Sequence, residues 1–136
     1  MERQPTESFE QQWLFVWAKE MAESIPELAM LYAVPNGATT SRQEGSRLKA
    51  EGLKAGVPDI VLPVARVLDG RLYTHLYIEL KRRDGIPSDL SDRQKWWLER
   101  LTREGAYATW CRGNHEAQET ILNYLAGERP DLEKKQ

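Results

Sequence analysis

Three residues at the ends of two neighbouring apolar runs could share one piece of chemistry. Asp59 follows Pro58 at the head of the first run, and Glu79 and Lys81 close the second, within the stretch Gly56 to Lys81. On a strand, residues two apart project from one face, so Glu79 and Lys81 set a carboxylate beside an ammonium. If Asp59 joins them from the adjacent strand, two carboxylates can hold one hard divalent cation, Mg2+ with Mn2+ able to substitute, and an amine stands alongside. Such a set suits phosphodiester hydrolysis, which needs a nucleophilic water and charge stabilisation on the phosphate. The plainer reading is a solvated Glu-Leu-Lys on an exposed strand.

Whether the carboxylates meet depends on the turn between the runs. Asp69-Gly70 is a strong hairpin signal. A two-residue loop pairs Leu68 with Arg71, sets Asp59 opposite Leu80 and points its carboxylate away from Glu79. A three-residue loop, Leu68-Asp69-Gly70 with Gly70 left-handed, pairs Val67 with Arg71 and brings Asp59 opposite Glu79. The three-residue loop is expected. It places Tyr73 and Tyr77 on the Glu79 side and Leu76, Ile78 and Leu80 in the core. Pro63, with no N–H to donate, implies an edge or a bulge that could shift this register.

The remaining elements follow from caps and breakers. A first helix runs from about Ser8 to Ser24, stopped by Pro26, with Glu7, Glu10, Leu14, Trp17 and Met21 along one stripe. Acids in a first turn are explained by the helix dipole; a carboxylate reaching the metal site is the sharper alternative. Leu28 to Val34 reads as a strand ending at the turn Pro35-Asn36-Gly37. Ser41 and Glu44 open a helix that ends at Gly52. Arg42, Arg47, Lys49 and Lys54 on and beyond it make either a solvated face or, leading into Gly56-Val57-Pro58-Asp59, a hold on a phosphate backbone. After Lys81-Arg82-Arg83 and a polar loop comes a helix over Ser91–Glu104, whose Ser91 and Gln94 form a capping box that accounts for Gln94. Ala106–Cys111 is a last strand, Gly113-Asn114 a turn, and His115–Ala126 a last helix. The order predicts an α/β fold with a small mixed sheet, its hairpin flanked by helices in three layers. Residues 1–127 are expected to be one domain and 128–136 a charged, disordered tail.

Composition sets the outer bounds. With 136 residues, 40% hydrophobic, the chain can bury a core. No apolar run is long enough to span a bilayer and no signal peptide is evident, so a cytoplasmic protein with no membrane partner is expected. A single cysteine, Cys111, excludes an internal disulfide, and neither it nor the two histidines has zinc spacing. A net charge of −2 gives no overall basic footprint, so nucleic-acid binding must be argued from local charge.

Pro58-Asp59 followed by Glu79-Leu80-Lys81 resembles the PD-(D/E)XK signature of restriction-endonuclease-like nucleases. The flanking Val34-Pro35-Asn36-Gly37, Arg47-Leu48-Lys49-Ala50-Glu51-Gly52, Ala55-Gly56-Val57, Ser91-Asp92-Arg93-Gln94 and Gly105-Ala106-Tyr107 make it similar to the VRR-NUC branch, in the compact stand-alone form of phages and prophages. The likeness covers about residues 7–125. One departure is Ala38-Thr39-Thr40, where the family often has another glycine and a basic residue.

The resemblance implies a restriction-endonuclease-like core. It also implies Asp59, Glu79 and the Leu80 carbonyl as metal ligands, Lys81 holding the attacking water, and Gln94 supporting both. The family's N-terminal glutamate would be Glu10, acting through water, with Glu7 on the same stripe as the alternative. Arg82 and Arg83 join the basic segment as DNA contacts. A structure-selective DNA endonuclease acting as a homodimer on branched DNA such as four-way junctions is the implied function. A less selective nuclease, a DNA-binding module without catalysis, and an interaction domain are the competing readings. Trp13, Trp96 and Trp97 are the candidate interface.

Overall fold

The computed structural model describes residues 3–35 and 41–130. Its α-helices are α1 (Glu7–Met21), α2 (Arg42–Ala50), α3 (Asp92–Arg103) and α4 (Gly113–Leu125). Its strands are β1 (Tyr32–Ala33), β2 (Ile60–Leu62), β3 (Arg66–Leu68), β4 (Arg71–Tyr73), β5 (Leu76–Lys81) and β6 (Tyr107–Arg112). One mixed sheet has the order β1-β2-β5-β6, antiparallel except for the parallel pair β5 and β6, and β3-β4 form a separate hairpin. Asn36 and Gly37, expected to turn, and Ala38-Thr39-Thr40, where the family resemblance falters, lie outside the described residues, as do residues 131–136 of the expected tail. Before that point, the Glu128 amide donates to Asn123 and Pro130 is buried.

The caps work as their residue types dictate. Thr6 accepts from the Phe9 amide at the head of α1, and Ser41 from the Glu44 amide at the head of α2. Ser91 and Gln94 form the full reciprocal box on α3. Alternating apolar residues of β2 and β5, Ile60, Leu62, Leu76, Ile78 and Leu80, bury one sheet face against Leu14 and Ala18 of α1 and Ala117, Ile121 and Tyr124 of α4. The opposite face carries Glu79 and Lys81, and α3 packs there through the Gln94 contacts. This is the expected mixed α/β architecture, with helices on either side of the sheet.

Several local expectations are corrected. The stretch Leu28–Val34 is not a continuous strand, because Pro26 opens a short 3-10 helix over Pro26–Met30 and leaves only Tyr32–Ala33 to pair with β2. The last helix starts at Gly113 with no intervening turn. The hairpin loop has two residues: Leu68 pairs with Arg71, and Asp69 (φ 50°) and Gly70 (φ 78°) are both left-handed, as a type I′ turn requires.

Asp59 and Glu79 are nevertheless level. Ile60 pairs with Ile78 and Val61 with Tyr77, so one further step sets Asp59 opposite Glu79. The compensation is a bulge. Pro63, Val64 and Ala65 separate β2 from β3, whereas only Thr74 and His75 separate β4 from β5, and the extra residue advances the register by one. The Val64 amide turns back to the Leu62 carbonyl, and the buried Tyr124 hydroxyl donates to the Val64 carbonyl at 2.6 Å, so α4 clamps the bulge. The break also turns Tyr73 into the core, where it meets Tyr107 edge-on, rather than onto the Glu79 side.

Candidate active site

Asp59 and Glu79 come from adjacent strands at the same end of the sheet. The Leu80 amide donates to Asp59 Oδ2 at 2.9 Å, which holds the aspartate against the backbone between Glu79 and Lys81. Glu79 is 3% exposed. Burial first, then its hydrogen bond to Asp59 and that group's charge, push the Glu79 carboxyl up to about 9, partly offset by Lys81. A buried carboxylate beside a second one favours its protonated form unless a cation offsets the charge.

Lys81 is buried with them. Its Nζ donates to Gln94 Oε1 at 3.1 Å and lies 3.9 Å from Glu79 Oε2. Gln94 Nε2 in turn donates to Glu79 Oε2 at 3.3 Å, while its Oε1 also accepts from the Ser91 amide at 2.9 Å. One side chain thus caps α3 and bridges the acid and the amine. The capping pattern in the sequence concealed the second role.

The loop before Asp59 is seated on the same helix. Gly56 has φ 89°, and a Cβ there would come within 2.8 Å of Arg93 Cβ and 2.9 Å of the Arg93 carbonyl carbon. The Trp97 indole N–H donates to the Ala55 carbonyl. Asp59 and Gln94 are thereby referenced to one rigid element.

Of the two glutamates in the first turn of α1, Glu7 faces this centre. It lines a cavity of about 510 Å3 together with Asp59, Leu80, Gln11 and Phe15, and a second of about 450 Å3 with Lys81, Arg82 and Asp89. Partial burial first, with Asp59 and Asp89 adding to it against Lys81 and Arg82, raises the Glu7 carboxyl above the ordinary range. Glu10 sits elsewhere, fully buried. It accepts from Arg83 Nε at 2.8 Å and from the Asn114 amide and side chain at 3.1 and 2.7 Å. Burial alone would raise its carboxyl, but these hydrogen bonds hold it below the usual range. The carboxylate at the first turn of α4 also meets the positive end of that helix. Nothing in the sequence pattern marked Asn114 as a partner, since Gly113-Asn114 read as a turn.

The basic residues divide similarly. No residue of α2 is buried; Arg42, Lys49 and Lys54 are exposed, and Arg47 pairs with Glu51 at 2.8 Å. Arg82 pairs with Asp84, and Arg83 is held by Glu10 beside the Trp13 ring. Trp13 and Trp96 are exposed, while Trp97 is half-buried.

A VRR-NUC domain matches residues 2–115. The chain belongs to the VRR-NUC family. A solved structure described as a "VRR_NUC domain protein" shares its fold, with a TM-score of 0.73 and 23% identity, covering 96% of each chain. No curated protein sequence matches. A VRR-NUC domain implies a nuclease of the PD-(D/E)XK type, and with it DNA as substrate and a divalent metal. The donors fit such an ion: two contacting carboxylates that cannot both ionise comfortably without a cation, and hard oxygens throughout. Among the described residues no three His, Cys, Asp or Glu side chains form a metal-holding group. Among those residues, no helix of this VRR-NUC chain is long and apolar enough to cross a membrane.

Proposed function

We propose that this VRR-NUC protein is a Mg2+-dependent, structure-selective DNA endonuclease that acts as a homodimer on branched DNA such as four-way junctions. The observation that carries the hydrolytic part is the level placement of Asp59 and Glu79 with Lys81 and Gln94 hydrogen-bonded beside them.

Asp59, Glu79 and the Leu80 carbonyl would hold the ion, and Glu7, at the mouth of the same cavity, is better placed than Glu10 to reach it through water. When bound, the cation offsets charge on the phosphate and makes water a better nucleophile. Lys81 orients the attacking water and offsets charge developing on the phosphate oxygens, a role that suits an ammonium set beside carboxylates better than that of general base. Gln94 holds the Lys81 ammonium and the Glu79 carboxylate in fixed relation, so neither must reorganise as the reaction proceeds. Glu10 keeps α1, α4 and Arg83 in place without touching the reacting atoms. Arg42, Lys49, Lys54 and Arg82 supply an exposed cationic flank for the DNA backbone.

Selectivity and dimerisation rest on family resemblance and on stoichiometry. One domain carries one such centre, and paired cuts in two strands need two, for which twofold pairing is the commonest solution. Incubating the protein with flap, fork, four-way-junction and linear DNA, with Mg2+ or Mn2+, tests the reading. Cleavage that favours branched DNA and vanishes in Asp59→Ala and Lys81→Ala is expected; undiminished cleavage by either variant refutes the assigned roles. A monomer by light scattering at micromolar concentration refutes the dimer.

A further inference from the structure

A small cavity opens at the opposite end of β5 and β6 from the carboxylates. About 180 Å3 in volume, it is lined by Arg71, Tyr73, Thr102, Tyr107, Thr109 and Arg129 together with Ala106 and Ala108. Two of the lining side chains are cations and none is an acid. Arg71 donates only to the Thr102 carbonyl, at a long 3.4 Å, and lies over the Tyr73 ring, so among the described residues it has no carboxylate partner. Arg129 lies 3.7 Å from Asp69, whose side chain is 71% exposed. The Tyr107 hydroxyl is buried beside Arg129, which acts on its oxygen by charge and as a donor, but the hydroxyl's own proton reaches no acceptor among the described residues.

A buried hydroxyl proton with no acceptor is rare in native proteins and calls for a physical explanation. Tyr107 is otherwise well packed, 6% exposed and in contact with Tyr73 and Tyr124. Phenylalanine would fill that space with no unpaired donor, so the hydroxyl suits something that enters the cavity. Burial first, against the opposing pull of Arg129, raises the Tyr107 phenol, so it keeps its proton and can only offer a donor to an anion. Thr102 already directs its hydroxyl proton to the Leu98 carbonyl. The donors facing the cavity are therefore the phenol, the Arg71 guanidinium, held only by one long bond, and the Arg129 guanidinium, loosely paired with exposed Asp69, a set suited to a tetrahedral oxyanion.

We propose that Arg71, Tyr107 and Arg129 form a second site, separate from the carboxylate centre, that binds a phosphate-class oxyanion. Leu76 pairs with Tyr107 at this end of the sheet, and Lys81 with Arg112 at the other. Glu79 is level with Trp110, three strand steps from Tyr107, roughly 10 Å, the rise of about three nucleotides along one DNA strand, with Tyr107 on the other face of the sheet. On the nuclease reading, a backbone phosphate of the DNA is the occupant to test first; a terminal or free phosphate has the same chemistry.

The anion site is tested without divalent metal and without cleavage. The full chain is titrated with sodium phosphate against sodium chloride at equal ionic strength, following melting temperature and heat of binding. Wild type should show a saturable phosphate response that weakens at least tenfold in Arg71→Gln and Tyr107→Phe. Without phosphate, Tyr107→Phe should melt close to wild type, because the hydroxyl proton it loses reaches no acceptor and only the Arg129 contact to the oxygen goes with it. Equal phosphate responses in wild type and both variants overturn the site. For the source, duplex binding in EDTA is measured across salt concentrations, with and without a 5′-phosphate. Arg71→Gln should reduce the slope of log affinity against log salt by about 0.9 if a backbone phosphate is contacted. A loss confined to 5′-phosphorylated DNA assigns the end group instead, and no change in either overturns the DNA source. Phosphate binding by a protein that cuts no DNA would sink the nuclease reading alone, whereas cleavage with indifferent phosphate responses would sink this site alone.

Discussion

The Leu80 amide donates to Asp59 Oδ2 at 2.9 Å, tying an acid from one strand to the backbone between the acid and the amine of the next. The bond separates position from charge. Asn at position 59 still accepts from Leu80 while removing the negative charge. Asp59→Asn should therefore fold with near-native stability yet lose divalent-ion binding and on the order of a hundredfold or more in cleavage rate. Mn2+ titration and single-turnover kinetics check it; a variant that binds Mn2+ normally would contradict the ligand assignment.

Gln94 offers a second separation. Ser91→Ala removes the cap that Ser91 gives the Gln94 amide, and should cost about 1 kcal/mol of stability while leaving cleavage well below the melting point close to wild type. Gln94→Ala removes a cap and also frees Lys81 and Glu79, and should lower kcat by about ten- to hundredfold. Denaturation curves alongside steady-state rates distinguish the two. Equal rates would reduce Gln94 to a cap.

The raised Glu79 carboxyl predicts an unusual pH dependence. The folded protein keeps this proton up to about pH 9, whereas the unfolded chain releases it near 4.5. Across that window the folded state binds more protons, so its contribution is full below the lower value and is lost as pH rises toward the upper. In metal-free buffer the melting temperature should fall through this range, and Glu79→Gln should flatten the fall. Because a cation needs the ionised carboxylate, divalent binding should tighten over the same interval. A flat metal-free profile in wild type would contradict the burial of the pair.

Glu10 has the opposite sign. Its lowered carboxyl contributes stability above the ordinary carboxylate range that is lost as pH falls through its folded value, so acid should weaken the α1–α4 contact. Glu10→Ala leaves the Asn114 donors and Arg83 without their acceptor and should destabilise by about 3 kcal/mol. If Glu10 only holds structure, the surviving folded protein should retain its divalent affinity, whereas Glu7→Gln should weaken it with little effect on melting. The reverse pattern in Mn2+ titrations would return Glu10 to the metal.

Gly56→Ala tests the seating of the loop that leads into Asp59. A methyl at φ 89° would meet the Arg93 backbone at 2.9 Å, so a loss of about 1 to 3 kcal/mol is expected, with a lower kcat as Asp59 and Gln94 lose their common reference. Chemical denaturation and kinetics of the variant read both effects.

Much of this was already decided by residue type over short distances. Ser91 with Gln94, Ser41 with Glu44 and Gly52 at the end of α2 set helix limits because caps act within a turn of chain. Asp59, Glu79 and Lys81 announced an oxygen-donor site with an amine beside it, because period-two alternation is local. The tertiary structure decided what depends on counting across distant segments. The Asp69-Gly70 turn by itself would have set Asp59 against Leu80; only the bulge at Pro63–Ala65, held by Tyr124 from the far end of the chain, restores Glu79 as its neighbour. Glu7 and Glu10 share one helical stripe and look equivalent in sequence, yet Arg83 and Asn114, contributed by other elements, draw Glu10 into the interior and leave Glu7 facing the cavity. Register and choice of partner are sums over contacts between elements, and no local pattern contains them.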